Sequence, residues 1–457
     1  MKYYLHTIGC QMNYSDAERI AAILDAHNCT RVLTEQQADC IIIIACSVRQ
    51  KAMDRIFGKL KTWGAARKQR SIKVILTGCV LPADKNKLQK KFDAILLIND
   101  IQSLPKLLNL LPVDKQQSVI TNADYLMLDP THTSPFQAFV PIMTGCNNYC
   151  TYCAVPYTRG EEASRPSSEI IAEVKKLLKK GYQQITLLGQ NVNAYIDPKI
   201  QHDITTLKSR MRNTWKFKNN QPIQFRSATT KVPKDFANLL KKINALSGDF
   251  WIRFLTSNPQ DVSDELIATL PKCKKVTRHF HLPIQAGDDE ILRKMNRRHT
   301  RDYYLHLIDK IRTAWPGVAI TTDIIVGFPG ETQEQFQKTI EVMETVKYDM
   351  AYLAEYSPRP GTAAQKFFKD NVTKEEKARR KNKLNAILKR TALENNNQFL
   401  NKKVRVLVDS YNQKTKTNHG RTEQFHNIQF KGLNKAGFFV TCTVTKATSW
   451  ALEGTLE

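Results

Sequence analysis

Three cysteines, Cys146, Cys150 and Cys153, stand in a C-x3-C-x2-C array directly after the apolar stretch FVPIM. Three thiolates in one short loop can grip one face of a cuboidal iron–sulfur cluster, whose usual complement is four cysteines. One iron is then left for a substrate or cofactor. A structural zinc would need a fourth Cys or His at matched spacing, and the next histidine is His202. A second set is dispersed. Cys10, Cys46 and Cys79 each fall at or within two residues of the end of an apolar strand, in HTIGC, IIIIAC and ILTGC. In a parallel sheet those ends share one edge, and three thiols there can take a second cluster, again one ligand short. The same three residues also read as small buried hydrophobes, the usual state of a cysteine outside a disulfide. Cys29, Cys40, Cys273 and Cys442 stand at no telling positions and are assigned to structure.

The elements that must position these thiols alternate strand and helix. Residues 1–125 read as an N-terminal α/β domain with a mainly parallel sheet: KYYLHTIG, then a helix from Asp16 to His27, IIIIA, a helix from Arg49 to Lys68, and KVILTG. Thr121 to Ser134 is more polar and reads as a linker. Residues 132–370 hold six strand candidates, FVPIM, QITLLG, WIRFLT, FHLPI, AITTDIIVG and MAYLAEY, each followed by a plausible helix. That pattern predicts a partial (β/α)6 barrel with its chemistry at the C-terminal strand ends. A charged helical connector over 373–400 leads into a small β-rich tail over 401–457. The fold class is therefore α/β with a β-rich tail.

The chain has 457 residues, 42% of them hydrophobic, enough for several cores. No run of about 18 apolar residues occurs, and Met1 to Cys10 reads as a strand rather than a signal peptide. The expectation is a cytoplasmic protein without membrane contact. In a reducing compartment its ten cysteines favour metal ligation over disulfides. A net charge of +26 suits a polyanionic partner, although a lineage-wide lysine bias produces the same number.

With these features in place, the chain resembles the methylthiotransferases of the radical S-adenosylmethionine superfamily along nearly its whole length. The segments carrying the resemblance are GCQMN (Gly9 to Asn13), CNNYCTYCAVPYTRGEEASRP (Cys146 to Pro166), LLGQNVNAY (Leu187 to Tyr195), HLPIQAGDD (His281 to Asp289), MNRRHT (Met295 to Thr300), DIIVGFPGET (Asp323 to Thr332) and YSPRPGT (Tyr356 to Thr362). The nearest branch acts on N6-isopentenyladenosine at position 37 of tRNA. The resemblance implies two [4Fe–4S] clusters, one on Cys146, Cys150 and Cys153, the other on Cys10, Cys46 and Cys79. It further implies S-adenosylmethionine on the open iron of the first, a 5′-deoxyadenosyl radical that takes hydrogen from adenine C2, and delivery of a methylthio group from the second. An aromatic C–H is too weakly acidic for ordinary base catalysis, so a radical cofactor fits the task.

Tyr152, Gln190, Asn191, Asn193 and Gly327 are expected beside the cofactor; an Asn-rich turn is the plainer account of the three amides, and turns such as GFPGE around Gly327 are common. Arg159, Glu161, Glu162 and Arg165 are expected either to help hold the cofactor or RNA, or to be solvated charge. The tail resembles a TRAM domain, with Arg421 to Phe430 in its loop region, and implies a grip on the anticodon stem-loop of tRNA. The stretch 196–248, with Lys208, Arg210, Arg212, Lys216, Lys218 and Arg226, is longer than the family pattern and reads as a further RNA contact or a surface loop. An electron donor such as flavodoxin or ferredoxin, a sulfur donor and a monomeric state complete the expectation. The competing readings are methylthiolation of threonylcarbamoyl-adenosine or of a ribosomal-protein aspartate and, from another class, a non-catalytic RNA-binding protein with structural metal.

Overall fold

The computed structural model describes residues 1–46, 50–110, 124–198, 217–218, 221–222 and 235–457. Of the basic residues singled out between 196 and 248, Lys208, Arg210, Arg212, Lys216 and Arg226 lie outside the described residues, as does the start of the expected linker.

Strands β1 (Lys2–Ile8), β2 (Thr30–Arg31), β3 (Cys40–Cys46), β4 (Lys73–Cys79) and β5 (Ala94–Ile95) form one parallel sheet in the order β2-β1-β3-β4-β5. β3 reads CIIIIAC and is buried at every position, as a central strand covered on both faces must be. Its alternate residues divide accordingly. Ile42 and Ile44 pack with Ile20 and Leu24 of helix α1 (Gln11–Ala26). Ile41 and Ile43 pack with Met53, Ile56 and Trp63 of the helix Gln50–Gln69. Each buried isoleucine contributes about 1.5–3 kcal/mol relative to an exposed one.

The centre contains β6 (Gln137–Pro141), a short antiparallel pair β7 (Met143–Thr144) and β8 (Ala163–Ser164), β9 (Gln184–Leu188), a second pair β10 (Phe217–Lys218) and β11 (Gln221–Pro222), then β12 (Trp251–Phe254), β13 (His279–His281), β14 (Ala319–Val326) and β15 (Met350–Glu355). Two parallel three-stranded sheets, β12-β9-β6 and β13-β14-β15, are joined through a bridge between Ile252 and Val276. The result is a six-stranded partial barrel. Its core draws on strand residues such as Val140, Ile185, Ile252, Phe280 and Ile320 and on the apolar stripes of the helices Ser167–Lys179, Phe236–Asn244, Arg301–Ala314 and Gln333–Val346.

The helix Lys374–Asn397 packs against β15 and the helix Gln333–Val346. Beyond it, β16 (Lys403–Asn412), β17 (Thr417–Thr422), β18 (Asn427–Lys431), β19 (Phe439–Ala447) and β20 (Leu452–Leu456) close a barrel in the order β16-β17-β18-β20-β19. This small barrel sits on the N-terminal ends of the central strands. The Trp251 ring meets Phe439 at 4.8 Å, Gln137 donates to Asp409 at 2.5 Å, and Arg253 donates to the Thr422 carbonyl at 3.1 Å.

Arg421 to Phe430 is only in part the loop expected of it. Arg421 and Thr422 end β17 and Asn427 begins β18, leaving a four-residue connection. That connection turns inward, with Phe425 stacked on His279 at 4.9 Å and covered by the Arg253 guanidinium at 4.6 Å. The loop closes the lower end of the central barrel because the aromatic ring finds its apolar and cationic partners there. Among the described residues no helix is long and apolar enough to cross a membrane.

Candidate active site at the barrel mouth

The three dispersed cysteines come together because β1, β3 and β4 are neighbours running the same way. Cys46 and Cys79 are partners in register, while Cys10 caps α1, its N–H donating to Asn13 Oδ1 at 3.3 Å. Glycine is required before Cys79: Gly78 has φ +98°, and a Cβ there would stand 2.4 Å from the Ala45 carbonyl oxygen. Cys46 and Cys79 are buried. A hydrogen bond with Cys46 brings the Cys79 thiol down to about 6, assisted by the charge of Arg159 and opposed by burial. Burial pushes the Cys10 thiol up, and the neighbouring Cys79 adds to the push.

The cysteine loop of the barrel leaves β7 through Gly145, where φ is +75° and a Cβ would lie 2.0 Å from the Glu161 carbonyl oxygen. Tyr149, at φ +46°, turns the chain again. The loop is held from the segment 294–296. Asn296 donates to the carbonyls of Asn148 and Tyr149 at 2.9 and 3.1 Å, and Thr151 is bound on both its hydroxyl and its N–H by the carbonyls of Lys294 and Met295. Donors already face the sulfurs: Asn148 to Cys146 at 3.5 Å, the Val155 N–H to Cys153 at 3.4 Å, and Arg297 to Cys150 at 3.6 Å. Burial, then the charge of Cys150, pushes Cys146 far above its usual range and Cys153 up to about 12. Thiols so placed become thiolates only against a strong local cation, and coordination to iron deprotonates a thiol outright. The donor set therefore fits a cluster. Among the described residues no three Cys, His, Asp or Glu side chains stand as a single metal ion would need.

Arg159 joins the two sets. It ends the short helix Val155–Arg159 that follows Cys153, and it is 1% exposed. Its Nε–H points at Cys79 Sγ at 3.0 Å, one Nη donates to Tyr125 Oη at 2.9 Å, and the other meets Asp16 at 2.5 Å. The charge of Cys79 reaches Cys153 as well as Cys10. Neither Arg159 nor Arg165 is solvated, contrary to one of the two sequence expectations. Arg165 is buried, donating to the Pro141 carbonyl at 2.8 Å and paired with Glu173 at 2.7 Å. Glu161 is exposed, and the Glu162 N–H binds Asn147 at 3.1 Å. Each arginine flanks a stretch of charged residues, and its burial is made tolerable by an acid outside that stretch, Asp16 for Arg159 and Glu173 for Arg165.

The strand ends around this loop carry buried polar oxygens with unmet hydrogen-bonding capacity. Gln190 Oε1, Asn191 Oδ1, Ser257 Oγ and Asn258 Oδ1 are buried without a hydrogen-bond partner. Orphans of this kind are costly and mark a site that a polar ligand completes. Asn191 also donates to Asp261 at 2.6 Å. Asn193 is fully occupied instead: its Nδ2 donates to the Asn258 carbonyl at 2.9 Å and its Oδ1 accepts from the Asn258 N–H at 3.0 Å. It ties two mouth loops together. Thr256 at φ +69° and Gln285 at φ +78° add local backbone strain at the same rim.

Tyr152 packs against the cluster of Ala286, Ile291, Phe328 and Tyr356, and burial raises its phenol well above the usual value. Gly327, at φ +66°, gives its N–H to Glu331 at 2.6 Å, and a Cβ there would meet Lys377 Cγ at 2.3 Å. In this structure the close approach is thus to the helix Lys374–Asn397. Cys29, Cys40, Cys273 and Cys442 are buried in the hydrophobic cores as expected, and no cysteine forms a disulfide. Sequence reasoning missed Asp16 and Tyr125 altogether. Arg297 lay within the quoted MNRRHT segment without a role, and its reach to Cys150 supplies one.

Comparison with known proteins places this geometry. A family model described as the radical SAM superfamily matches residues 140–343, and the uncharacterized protein family UPF0004 matches residues 2–99. The chain is 37% identical over 474 residues to tRNA-2-methylthio-N(6)-dimethylallyladenosine synthase of Clostridium novyi (strain NT), covering 99% of this chain and 96% of that one. To the protein of the same name in Thermoanaerobacter sp. (strain X514) it is 36% identical, covering 99% and 92%. Among solved structures, the radical S-adenosylmethionine methyltransferase TsrM from Kitasatospora setae, with cobalamin and a [4Fe–4S] cluster bound, superposes with a TM-score of 0.50 at 10% identity, over 80% of this chain and 77% of that one. The selenomethionine-labelled apo form of the cobalamin-dependent radical enzyme OxsB gives 0.50 at 10% identity, over 83% and 56%; both likenesses concern the fold. With such identity along its full length, the chain belongs to the radical S-adenosylmethionine family of tRNA-2-methylthio-N(6)-dimethylallyladenosine synthases.

Proposed function

We propose that this chain adds a methylthio group to C2 of N6-isopentenyladenosine at position 37 of tRNA, with Cys146, Cys150 and Cys153 as ligands of one [4Fe–4S] cluster and Cys10, Cys46 and Cys79 as ligands of another. The observation that carries the reading is the meeting of the two thiol sets across Arg159, whose guanidinium touches Cys79 six residues beyond Cys153. When bound, the first cluster would supply the electron that splits S-adenosylmethionine, and the second would carry the sulfur to be transferred.

The protein's own part is placement. Asn296 and Thr151 hold the cysteine loop rigid against the barrel. The orphaned oxygens of Gln190, Asn191, Ser257 and Asn258 offer acceptors to the ammonium and hydroxyl groups of the cofactor. Asn193, by clamping the Asn258 loop, sets where those acceptors point. Tyr152 and its apolar neighbours screen one side of the loop from water. With Gly327 turned to Lys377, its role is to let that helix seat against the barrel. The TRAM-like barrel and the +26 charge suit a folded polyanion. The reading also calls for an external one-electron donor of the flavodoxin or ferredoxin kind, a source of sulfur, and a monomer working in the cytoplasm.

Nucleoside analysis by mass spectrometry of tRNA from a deletion strain tests the substrate. Loss of methylthio-isopentenyladenosine supports the proposal, and an unchanged level overturns it. In the anaerobically purified enzyme, Cys150→Ala abolishes cleavage of S-adenosylmethionine, whereas Cys46→Ala spares cleavage and stops sulfur insertion.

A further inference from the structure

The thiols expected to hold the second cluster are not alone at their sheet edge. A fully buried guanidinium reaches them from the other half of the molecule, and all three of its nitrogens are engaged. Arg159 Nη2 meets Asp16 Oδ2 at 2.5 Å, Nη1 serves Tyr125 Oη at 2.9 Å and Asp16 Oδ1 at 3.4 Å, and Nε points at Cys79 Sγ at 3.0 Å. The planar fork has one orientation once two corners are fixed, so the carboxylate of Asp16 and the phenol of Tyr125 aim the third corner at sulfur. A lysine ammonium also has three donors, but they radiate from one nitrogen on a flexible stem and lack the fixed directions of the fork. Burying a guanidinium and a carboxylate is expensive. Both side chains are 1% exposed, and an apolar pair would serve packing at lower cost.

From this geometry we propose that Arg159 is a positioning residue that sets the reduction potential of the cluster held by Cys10, Cys46 and Cys79, donating its Nε–H to the Cys79 sulfur, with Asp16 holding it in place and opposing its charge. The inference rests on that ligand assignment. Hydrogen bonds to the sulfurs and nearby charge are among the determinants of iron–sulfur potentials. Reduction adds one electron, taking the cluster from the 2+ to the 1+ state, and a donor with positive charge favours the more negative product. The cluster is therefore easier to reduce with Arg159 in place.

The test uses the full chain with Cys146→Ala, Cys150→Ala and Cys153→Ala, reconstituted anaerobically so that only the second cluster is present. It is titrated with dithionite as the one-electron donor, and the reduced cluster is followed by electron paramagnetic resonance. If this parent binds no [4Fe–4S] cluster, the ligand assignment itself fails, before any change at Arg159, and the proposal falls with it. Given the cluster, Arg159→Gln lowers the reduced-to-oxidised ratio at fixed potential about tenfold, a shift of about 59 mV for one electron. Asp16→Asn shifts it in the opposite direction, because removing the carboxylate leaves the guanidinium less compensated. A purely structural role would loosen the site in both variants and could not give opposite signs. Should Arg159→Gln fail to hold the cluster, the neutral pair Arg159→Gln with Asp16→Asn is compared with Asp16→Asn alone and must lie lower. Equal potentials in either comparison, or shifts of one sign for both single variants, overturn the proposal.

Discussion

His299 is the penultimate residue of the MNRRHT segment that braces the cysteine loop, and it is buried with its ring 6.1 Å from that of Tyr304. Burial, reinforced by the positive charge of Arg297, lowers its pKa from 6.5 to about 3. The imidazole is thus neutral in the folded chain and takes up a proton only when the barrel opens. Below pH 6.5 the unfolded chain binds more protons than the folded one, so the stability that depends on neutral His299 is fully present above 6.5 and drains away as the pH falls toward 3. Each pH unit in that window is worth about 1.36 kcal/mol. Between pH 7.5 and 5.5 this one residue should cost the barrel about 1.4 kcal/mol, since only the lower half of the interval lies below 6.5. The substitution His299→Gln keeps a polar side chain of similar reach and removes the titration. Urea unfolding of the cluster-free chain at the two pH values, read by pulsed hydrogen exchange on the helix Arg301–Ala314, gives the loss for each protein. The wild type is expected to lose about 1.4 kcal/mol more than the variant over this interval. Equal losses would show that His299 is protonated in the folded state at pH 5.5, and the burial argument would be refuted.

Three further outcomes follow from the same geometry. Gly145→Ala places a methyl group against the Glu161 carbonyl at a φ of +75°, so the loop of Cys146, Cys150 and Cys153 cannot close; iron per chain, by colorimetric assay on anaerobic protein, drops from about eight to about four, and full occupancy would contradict the assignment. Asn296→Ala frees the Asn148 and Tyr149 carbonyls, weakening the loop by about 1–3 kcal/mol; formation of 5′-deoxyadenosine under reductant slows while the iron content stays unchanged. For RNA held largely through phosphates, affinity for an anticodon stem-loop falls at least about tenfold between 50 and 200 mM salt, and filter binding that is flat across this range would rule out an electrostatic grip.

Much of the site was legible because its grammar is local. Cys146, Cys150 and Cys153 lie within eight residues, and so tight a spacing limits the metal chemistry open to them before any fold is known. The uninterrupted apolar run of β3 announced a strand buried on both faces, and with it a parallel sheet whose C-terminal edge carries Cys46. Neighbouring placement of Cys10, Cys46 and Cys79 needed more, namely the sheet order that seats β1 and β4 on either side of β3. Nothing in the linear pattern decides strand order, which depends on how the helices cover both faces.

The rest belongs to tertiary structure alone. Arg159 reads in sequence as one more charge in a polar loop; its burial depends on Asp16, 143 residues away, and on Tyr125, 34 residues away. The connection after Arg421 reads as an open turn, yet Phe425 is drawn inward by His279 and Arg253 of the central barrel. A hydrogen bond or ion pair between distant residues leaves no periodic trace in the chain, whereas burial of a helix stripe or a strand face does. Sequence alone therefore determined the elements and the thiols they carry, and only the packed structure decided which charges and rings meet them.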